Sequence, residues 1–396
     1  MDKRRKPIIG NRRPKPRRSQ ELNTRRNKPS PRKTRNQGAS SLYNDNGNGS
    51  GNHPNRKKRS AKKNGCLARF LKIFVAIGFL YFFYLIIFGN LHSDLKKNAF
   101  RLQVSPSAYD FALRHKIVNV AVLGVDEREG VEGSRSDSMM IATADYEHNA
   151  IKVTSLLRDT YVYIDEDYGF DKLNAAYSIG GAEKALKVIN ENFDVAVTDY
   201  VVIDFNSMPQ MVNAVGGVDI EIKTYDELEW TNEYLWDVNE KVNTHSPNIP
   251  DIGLQRLDGN QALAYCRVRY AGHGDYVRTQ RQRAVFEQVL KKVIKQPPWK
   301  QIAFYNTVKP YIDTSLSFNQ LMTYGGRMIF HRNARIEQAQ IPDSRYLAED
   351  MRGDVSYVFP DTLEDNIKAL YRFIYESDYN PSQNAKEISR NIEERW

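Results

Sequence analysis

The chain is 396 residues long, enough for two average domains or for one large domain with a tail and an anchor. Its net charge of +10 hides two parts of opposite sign. Through Lys72 there are 23 Lys and Arg against three acids, whereas the remainder carries 35 basic and 45 acidic residues. The only cysteines are Cys66 and Cys266, which excludes an internal disulfide framework if the intervening apolar run separates them.

Residues 1–66 are rich in Arg, Lys, Pro, Asn, Ser and Gly and almost lack large apolar side chains. Such a segment cannot bury enough surface to offset its ordering entropy, so a disordered basic cytoplasmic tail is expected. The dense runs Arg4-Arg5 and Arg56-Lys57-Lys58-Arg59 read as a topology signal on a solvated tail, and no nucleic-acid partner is expected. The stretch 67–91 then has the length and apolarity of one transmembrane helix, with Arg69 and Lys72 placed where their side chains can snorkel. The basic excess before it puts the N-terminus in the cytoplasm and the rest outside. Phe88-Gly89-Asn90-Leu91 is a poor cleavage site, which argues for a retained anchor.

A polar connector, 92–116, leads into alternating strand and helix patterns. Val118–Val125, Ser138–Ala144, Ile151–Leu157 and Tyr161–Ile164 read as strands, and Ala182–Glu191 as a helix opened by Gly180-Gly181. Tyr200–Asp204 and Val218–Ile222 read as further strands, with a turn at Gly216-Gly217 before the second. Tyr225–Pro250, with Trp230, Trp236 and several acids, reads as a long loop. Asp258 caps a short helix through Ala264, a strand follows at Tyr265–Arg269, and Asp275 to Lys295 reads as a long helix. Leu316–Phe330 and Leu363–Tyr375 supply closing elements, and 380–396 reads as a polar C-terminal tail. The mixture predicts one α/β domain over 117–379, a mixed central sheet flanked by helices.

There is no GxxxxGK[ST] loop, GxSxG elbow or HExxH, and the seven histidines are scattered. What stands out is Arg and Asp at strand ends, where ligands of open α/β sheets sit: Asp126, Asp137, Arg158 and Asp159. Arg267 and Arg269 lie two apart on the predicted strand and so face one way. Arg278, Arg281 and Gln282 are spaced i, i+3 and i+4 on the long helix. Singly, each is more often a surface ion pair. Two guanidinium groups about 6 Å apart repel by roughly 3 kcal/mol at an effective dielectric near 20, so a convergent set needs an anion. A diphosphate with a divalent cation held by two carboxylates meets that need. Cys266 reads as a small buried apolar residue.

The blocks Asn119-Val120-Ala121-Val122-Leu123-Gly124-Val125-Asp126, Arg135-Ser136-Asp137-Ser138-Met139-Met140 and Leu157-Arg158-Asp159-Thr160-Tyr161 resemble the LytR-CpsA-Psr family. So do Asp171-Lys172-Leu173-Asn174-Ala175-Ala176-Tyr177, Val215-Gly216-Gly217-Val218 and Leu257-Asp258-Gly259-Asn260-Gln261-Ala262-Leu263-Ala264-Tyr265. Arg267-Val268-Arg269 and Gly274-Asp275-Tyr276-Val277-Arg278 with Arg281-Gln282 complete the series in family order. The resemblance implies a Mg²⁺-assisted extracellular phosphotransferase. It would move a glycopolymer from an undecaprenyl diphosphate carrier to the muramic acid hydroxyl of peptidoglycan. It assigns Asp126 and Asp137 to the metal. Arg158, Arg267, Arg269, Arg278 and Gln282 fall to the diphosphate, and Arg135 and Arg281 match family positions with less defined roles. Asp275 is the expected base for the acceptor hydroxyl, with Asp159 second. A pyrophosphatase using water as acceptor and a non-catalytic polyprenyl-phosphate-binding regulator are the alternatives.

Overall fold

A computed structural model describes residues 72–78, 98–125, 136–204, 207–242, 245–269, 274–318, 320, 321, 323, 324 and 334–396. The predicted tail, Asp126 and Arg135 lie outside the described residues, as does the predicted membrane segment except 72–78, which are helical. Among the described residues no helix is long and apolar enough to cross a membrane.

The centre is a six-stranded mixed sheet. In chain order its strands are β1 (Ile117–Val125), β2 (Ser136–Asp145), β3 (Ala150–Leu156), β6 (Val197–Ile203), β9 (Ile312–Thr314) and β10 (Arg335–Ile341), arranged β10-β3-β2-β1-β6-β9. β2 is antiparallel to both β1 and β3, while β6 runs parallel to β1 and β10 parallel to β3. The carboxyl ends of β1, β3, β6 and β10 therefore share one edge, together with the start of β2. Two-stranded ribbons are added by β4 (Tyr161–Asp165) with β5 (Gly169–Lys172), β7 (Val218–Ile222) with β8 (Gly253–Leu257), and β11 (Leu347–Arg352) with β12 (Val355–Pro360).

Because successive side chains on a strand alternate faces, β1 serves two cores at once. Ala121 and Leu123 join Met139 and Ile141 on one face, under the helices α1 (Pro106–Arg114), α2 (Ala175–Phe193), α8 (Leu363–Tyr375) and α9 (Gln383–Glu393). Val122, Met140 and Val153 point to the other face, where Phe286 and Leu290 of α6 (Gly274–Lys295) cover them. Beside α6 stand α3 (Ser207–Ala214), α4 (Tyr225–Val242), α5 (Gly259–Arg267) and α7 (Pro298–Val308).

The predicted strands of the first half are present with bounds shifted by one to three residues, and Val218–Ile222 and Leu363–Tyr375 match the structure. The helix predicted from Ala182 is the second part of α2, whose backbone breaks at Gly180 and Gly181 (φ −154° and +64°).

Three expectations are corrected. Tyr225–Pro250 is no long loop: Tyr225–Val242 is helical, with Leu235 and Val238 buried against Leu263 and Ala264 of α5. Tyr265–Arg269 is no strand: the helix capped by Asp258 continues through Arg267, because the residues from Gly259 to Cys266 are all buried between neighbouring helices. The cap is a full capping box, with Asp258 accepting from the Gln261 amide and Gln261 returning a bond to the Asp258 N–H. Residues 380–396 are no peripheral tail, since Ala385, Ile388 and Ile392 of α9 are buried at helical spacing in the main core. Each buried isoleucine there contributes roughly 1.5–3 kcal/mol.

Candidate active site

A cavity of about 340 Å³ lies at the shared strand edge, between the sheet and the helices α3 to α6. Its floor is apolar: Val122 and Met140 from the sheet, Met208, Met211 and Val212 from α3, and Val285, Phe286 and Val289 from α6. The charged residues Asp137, Arg267, Arg269 and Arg278 also line it, with Gln282. Gly124 of β1 faces Ser138 of β2. A Cβ there would come within 2.9 Å of the Ser138 Cβ, so the strand pair at the cavity wall demands glycine.

Asp137 is the meeting point. Its Oδ1 accepts from Arg158 Nη1 at 2.5 Å, and its Oδ2 lies 3.7 Å from Arg269 Nη2 and 3.9 Å from Arg278 Nη1. Arg278 Nη2 also donates to the Asp137 carbonyl at 2.9 Å, and its side chain is only 3% exposed. These arginines come from the end of β3, the segment after α5 and the first turns of α6. The sequence-distant set therefore does converge, around one carboxylate. Three guanidinium groups held against one shared carboxylate gather positive charge at the cavity wall, where an anion would be attracted.

Arg267 takes another partner. As the last residue of α5 it does not share a strand face with Arg269. Its Nη1 meets Asp237 Oδ2 at 2.6 Å, and its guanidinium lies 5.5 Å over the Tyr234 ring. Both partners belong to α4, the segment expected to be a loop. Burial pushes the Asp237 carboxyl up, but hydrogen bonds from Lys241 and Arg267 outweigh this and leave it below the usual range.

Arg281 stands apart from the cavity. At 100° per residue it lies about 100° round the helix from Gln282, so i+3 spacing carries it to the flank. There it is buried, with Nε 2.8 Å from Glu227 Oε1 and Nη1 donating to the Val268 carbonyl at 3.0 Å. Asp159 is also engaged, by Arg158 Nε at 3.3 Å and Lys172 Nζ at 2.7 Å. Asp275 falls in the first turn of α6, and its side chain lies outside the described residues. Cys266 is buried as expected; burial pushes its thiol up, so it is no thiolate nucleophile.

Asp204, Tyr234 and Asp237 also belong to the site and went unnoticed in the sequence. Asp204 follows β6 as Asp126 follows β1, a strand-end position that was available as a signal. The apolar Leu228, Leu235 and Val238 at i, i+7 and i+10, with the buried Thr231 at i+3 on the same face, mark α4 as a helix.

A hard dication takes oxygen ligands, with one or two carboxylates and phosphate oxygens among them. Asp137 and Asp204 on the cavity wall are donors of that type. The other acid cluster, Asp145, His148 and Glu376, is filled by an ammonium: Lys152 Nζ is 2.8 Å from Asp145 and 3.0 Å from Glu376. It lies at the far end of β2, about 26 Å from Asp137 at strand rise.

The model of the LytR_cpsA_psr family matches residues 84–370. The polyisoprenyl-teichoic acid--peptidoglycan teichoic acid transferase TagU of Enterococcus faecalis is 31% identical over 258 residues, 62% of this chain and 75% of the relative. Biofilm regulatory protein A of Streptococcus mutans is 33% identical over 202 residues, 48% of this chain and 47% of that protein. The solved structure of TagT bound to LIIa-WTA has a TM-score of 0.52 at 23% identity, covering 65% of this chain and 91% of that one. At that identity the likeness establishes a common fold.

Proposed function

We propose that this chain, which belongs to the LytR-CpsA-Psr family, is a membrane-anchored phosphotransferase. It transfers a glycopolymer from an undecaprenyl diphosphate carrier to peptidoglycan outside the cell. The observation that carries the reading is the cavity: guanidinium groups gathered around Asp137 above an apolar floor, which suits a diphosphate head with a prenyl tail. The relative named as a teichoic acid transferase supports the reaction class. The basic tail and the apolar run 67–91 support an anchor with a cytoplasmic N-terminus.

In this reaction the acceptor hydroxyl attacks the phosphorus that bears the glycopolymer. A new P–O bond forms, the bond to the carrier's remaining phosphate breaks, and polyprenyl phosphate leaves. Arg158, Arg269 and Arg278 turn from Asp137 to the diphosphate oxygens and stabilise the charge that builds on them. Arg267 and Gln282 hold the same group from the α5 and α6 sides. Asp137, and Asp126 by the family resemblance, would hold Mg²⁺, which would supply neutralisation of phosphate charge. Asp275 takes the hydroxyl proton, with Asp159 as second choice; since Lys172 and Arg158 occupy Asp159, it is the poorer base. An Asp275→Asn variant with undiminished transfer would remove it from the role. Arg281 supports the loop behind the site.

The test is transfer by the full chain in detergent from a polyprenyl diphosphate-sugar to peptidoglycan fragments, with and without Mg²⁺. A sugar phosphate joined covalently to the muropeptide, and lost in Arg158→Ala and Asp137→Ala, is the expected result. Free sugar phosphate alone would establish a pyrophosphatase, and tight donor binding without turnover a polyprenyl-phosphate-binding regulator.

A further inference from the structure

Next to Arg158 aromatic rings are interleaved with cations, from the buried Tyr161 and Phe359 out to the exposed Trp396, and the reaction above uses none of them. Lys172, bound to the same Asp159 as Arg158, has its Nζ 5.3 Å over the Tyr357 ring. Tyr357 and Phe359 alternate along β12 and so share a face. Arg352 covers both Phe359 and Tyr161 at 4.8 Å and donates to the Arg395 carbonyl. At the outer end Trp396 lies parallel to the buried Phe359 ring, 5.8 Å between centroids, and is 50% exposed.

We propose that this platform receives the sugar rings of the acceptor glycan strand. The inference rests on the transferase reading and deepens it by placing the acceptor. A pyranose offers an apolar C–H face to an aromatic ring and hydroxyls to charged groups at the ring's edge. Trp396 provides the face, and Arg352 and Arg395 provide donors. Asp171, which accepts from the Tyr357 hydroxyl at 3.1 Å, and the exposed Asp350, paired with Tyr357 across the ribbon, bring compensating acids. Cations offset by acids suit a neutral polyhydroxyl chain better than an anionic bilayer, which needs uncompensated positive charge. The contacts from Trp396 through the buried Phe359 and half-buried Tyr357 to Lys172 end at Asp159, the partner of Arg158. A glycan strand held at Trp396 is therefore on the same side of the ribbon as the diphosphate-binding arginine's partner.

The experiment measures co-sedimentation of the full chain in detergent with isolated sacculi stripped of secondary polymers. Binding of a polyprenyl diphosphate-sugar is measured in parallel. Trp396→Ala is expected to weaken sacculus binding at least about fivefold and leave donor binding unchanged, while Trp396→Phe retains most of the affinity. Sacculus binding unaltered in Trp396→Ala overturns the platform, as does equal loss of donor and sacculus binding. Wild-type retention on anionic vesicles that Trp396→Ala abolishes, with sacculus binding intact, overturns it in favour of a membrane. If Trp396-dependent sacculus binding occurs but no donor supports transfer, the platform stands and the transferase reading falls.

Discussion

Arg281 Nη1 donates to the carbonyl of Val268 at 3.0 Å, and Val268 is the residue between Arg267 and Arg269. The guanidinium is itself fixed by Glu227, whose Oε1 lies 2.8 Å from Nε and whose Oε2 accepts from the Lys223 N–H at 2.7 Å. The backbone that presents two site arginines thus hangs on an ion pair outside the cavity. Arg281→Ala leaves Glu227 buried without its guanidinium partner and should cost about 3–5 kcal/mol in denaturant unfolding. Glu227→Gln keeps the shape and should fold. Its expected signature is KM for the donor raised about tenfold, some 1.4 kcal/mol, with kcat less affected. An unchanged KM in Glu227→Gln would mean that the loop holds its shape alone.

In the proposed reaction Asp237, bound to Arg267 at 2.6 Å, competes with the diphosphate for it. Releasing that arginine by Asp237→Asn should tighten donor diphosphate binding by about threefold to tenfold, the modest range reflecting a pair partly open to solvent. Titration calorimetry at low and high salt would show the gain shrinking as ions screen it. Weaker binding in the variant would instead make Asp237 a support for Arg267.

Lys152 is fully buried between Asp145 and Glu376 and also donates to the Ile374 carbonyl at 2.9 Å. Lys152→Met leaves Asp145 charged and buried, and the expected loss is about 3–5 kcal/mol of unfolding free energy. Burial pushes the Asp145 carboxyl up, but hydrogen bonds from Lys152 and His148 outweigh it and the net shift is downward. A depressed carboxyl stabilises above its unfolded pKa of about 3.9, and that contribution disappears as pH falls through the lower folded value. The gap in urea midpoint between wild type and Asp145→Asn should therefore be wide at pH 6 and narrow towards pH 3. A gap independent of pH would contradict this.

Asp199 has the opposite sign. Burial raises its pKa, with hydrogen bonds from Thr198, Ser315 and Gln320 opposing the shift only in part. Its favourable contribution is complete below about pH 3.9 and is lost as pH rises through the folded value, so at neutral pH the charge is a cost. Asp199→Asn should raise the melting temperature at pH 7 by about 2–4 °C, near 1 kcal/mol, and by less as the pH drops. Destabilisation at pH 7 would show that the carboxylate has a charged partner.

The strands around Val122, the helix over Leu363–Tyr375 and the cap at Asp258 were legible because each depends on residues a few positions apart. Alternation, helical period and a capping side chain are local signals. The strand-end placement of Asp137 and Arg158 followed from the same signals. Two local readings at the site still failed. The acids and tryptophans of α4 masked its apolar spacing, and the run Tyr265–Arg269 was given period two although burial on all sides made most of it helix.

What tertiary structure alone decided is which charges meet. Arg278 reaches Asp137 across 141 positions and Arg281 reaches Glu227 across 54, while Arg281 and Gln282, adjacent in the chain, point to different surroundings. The cavity floor was equally unreadable, since Met211 and Val285 have the same apolar character whether they close a core or line a cavity. Hydrophobicity and charge are properties of a residue, which the sequence carries by itself. Coulomb attraction and cavity shape are properties of distances, which exist only once the chain has folded.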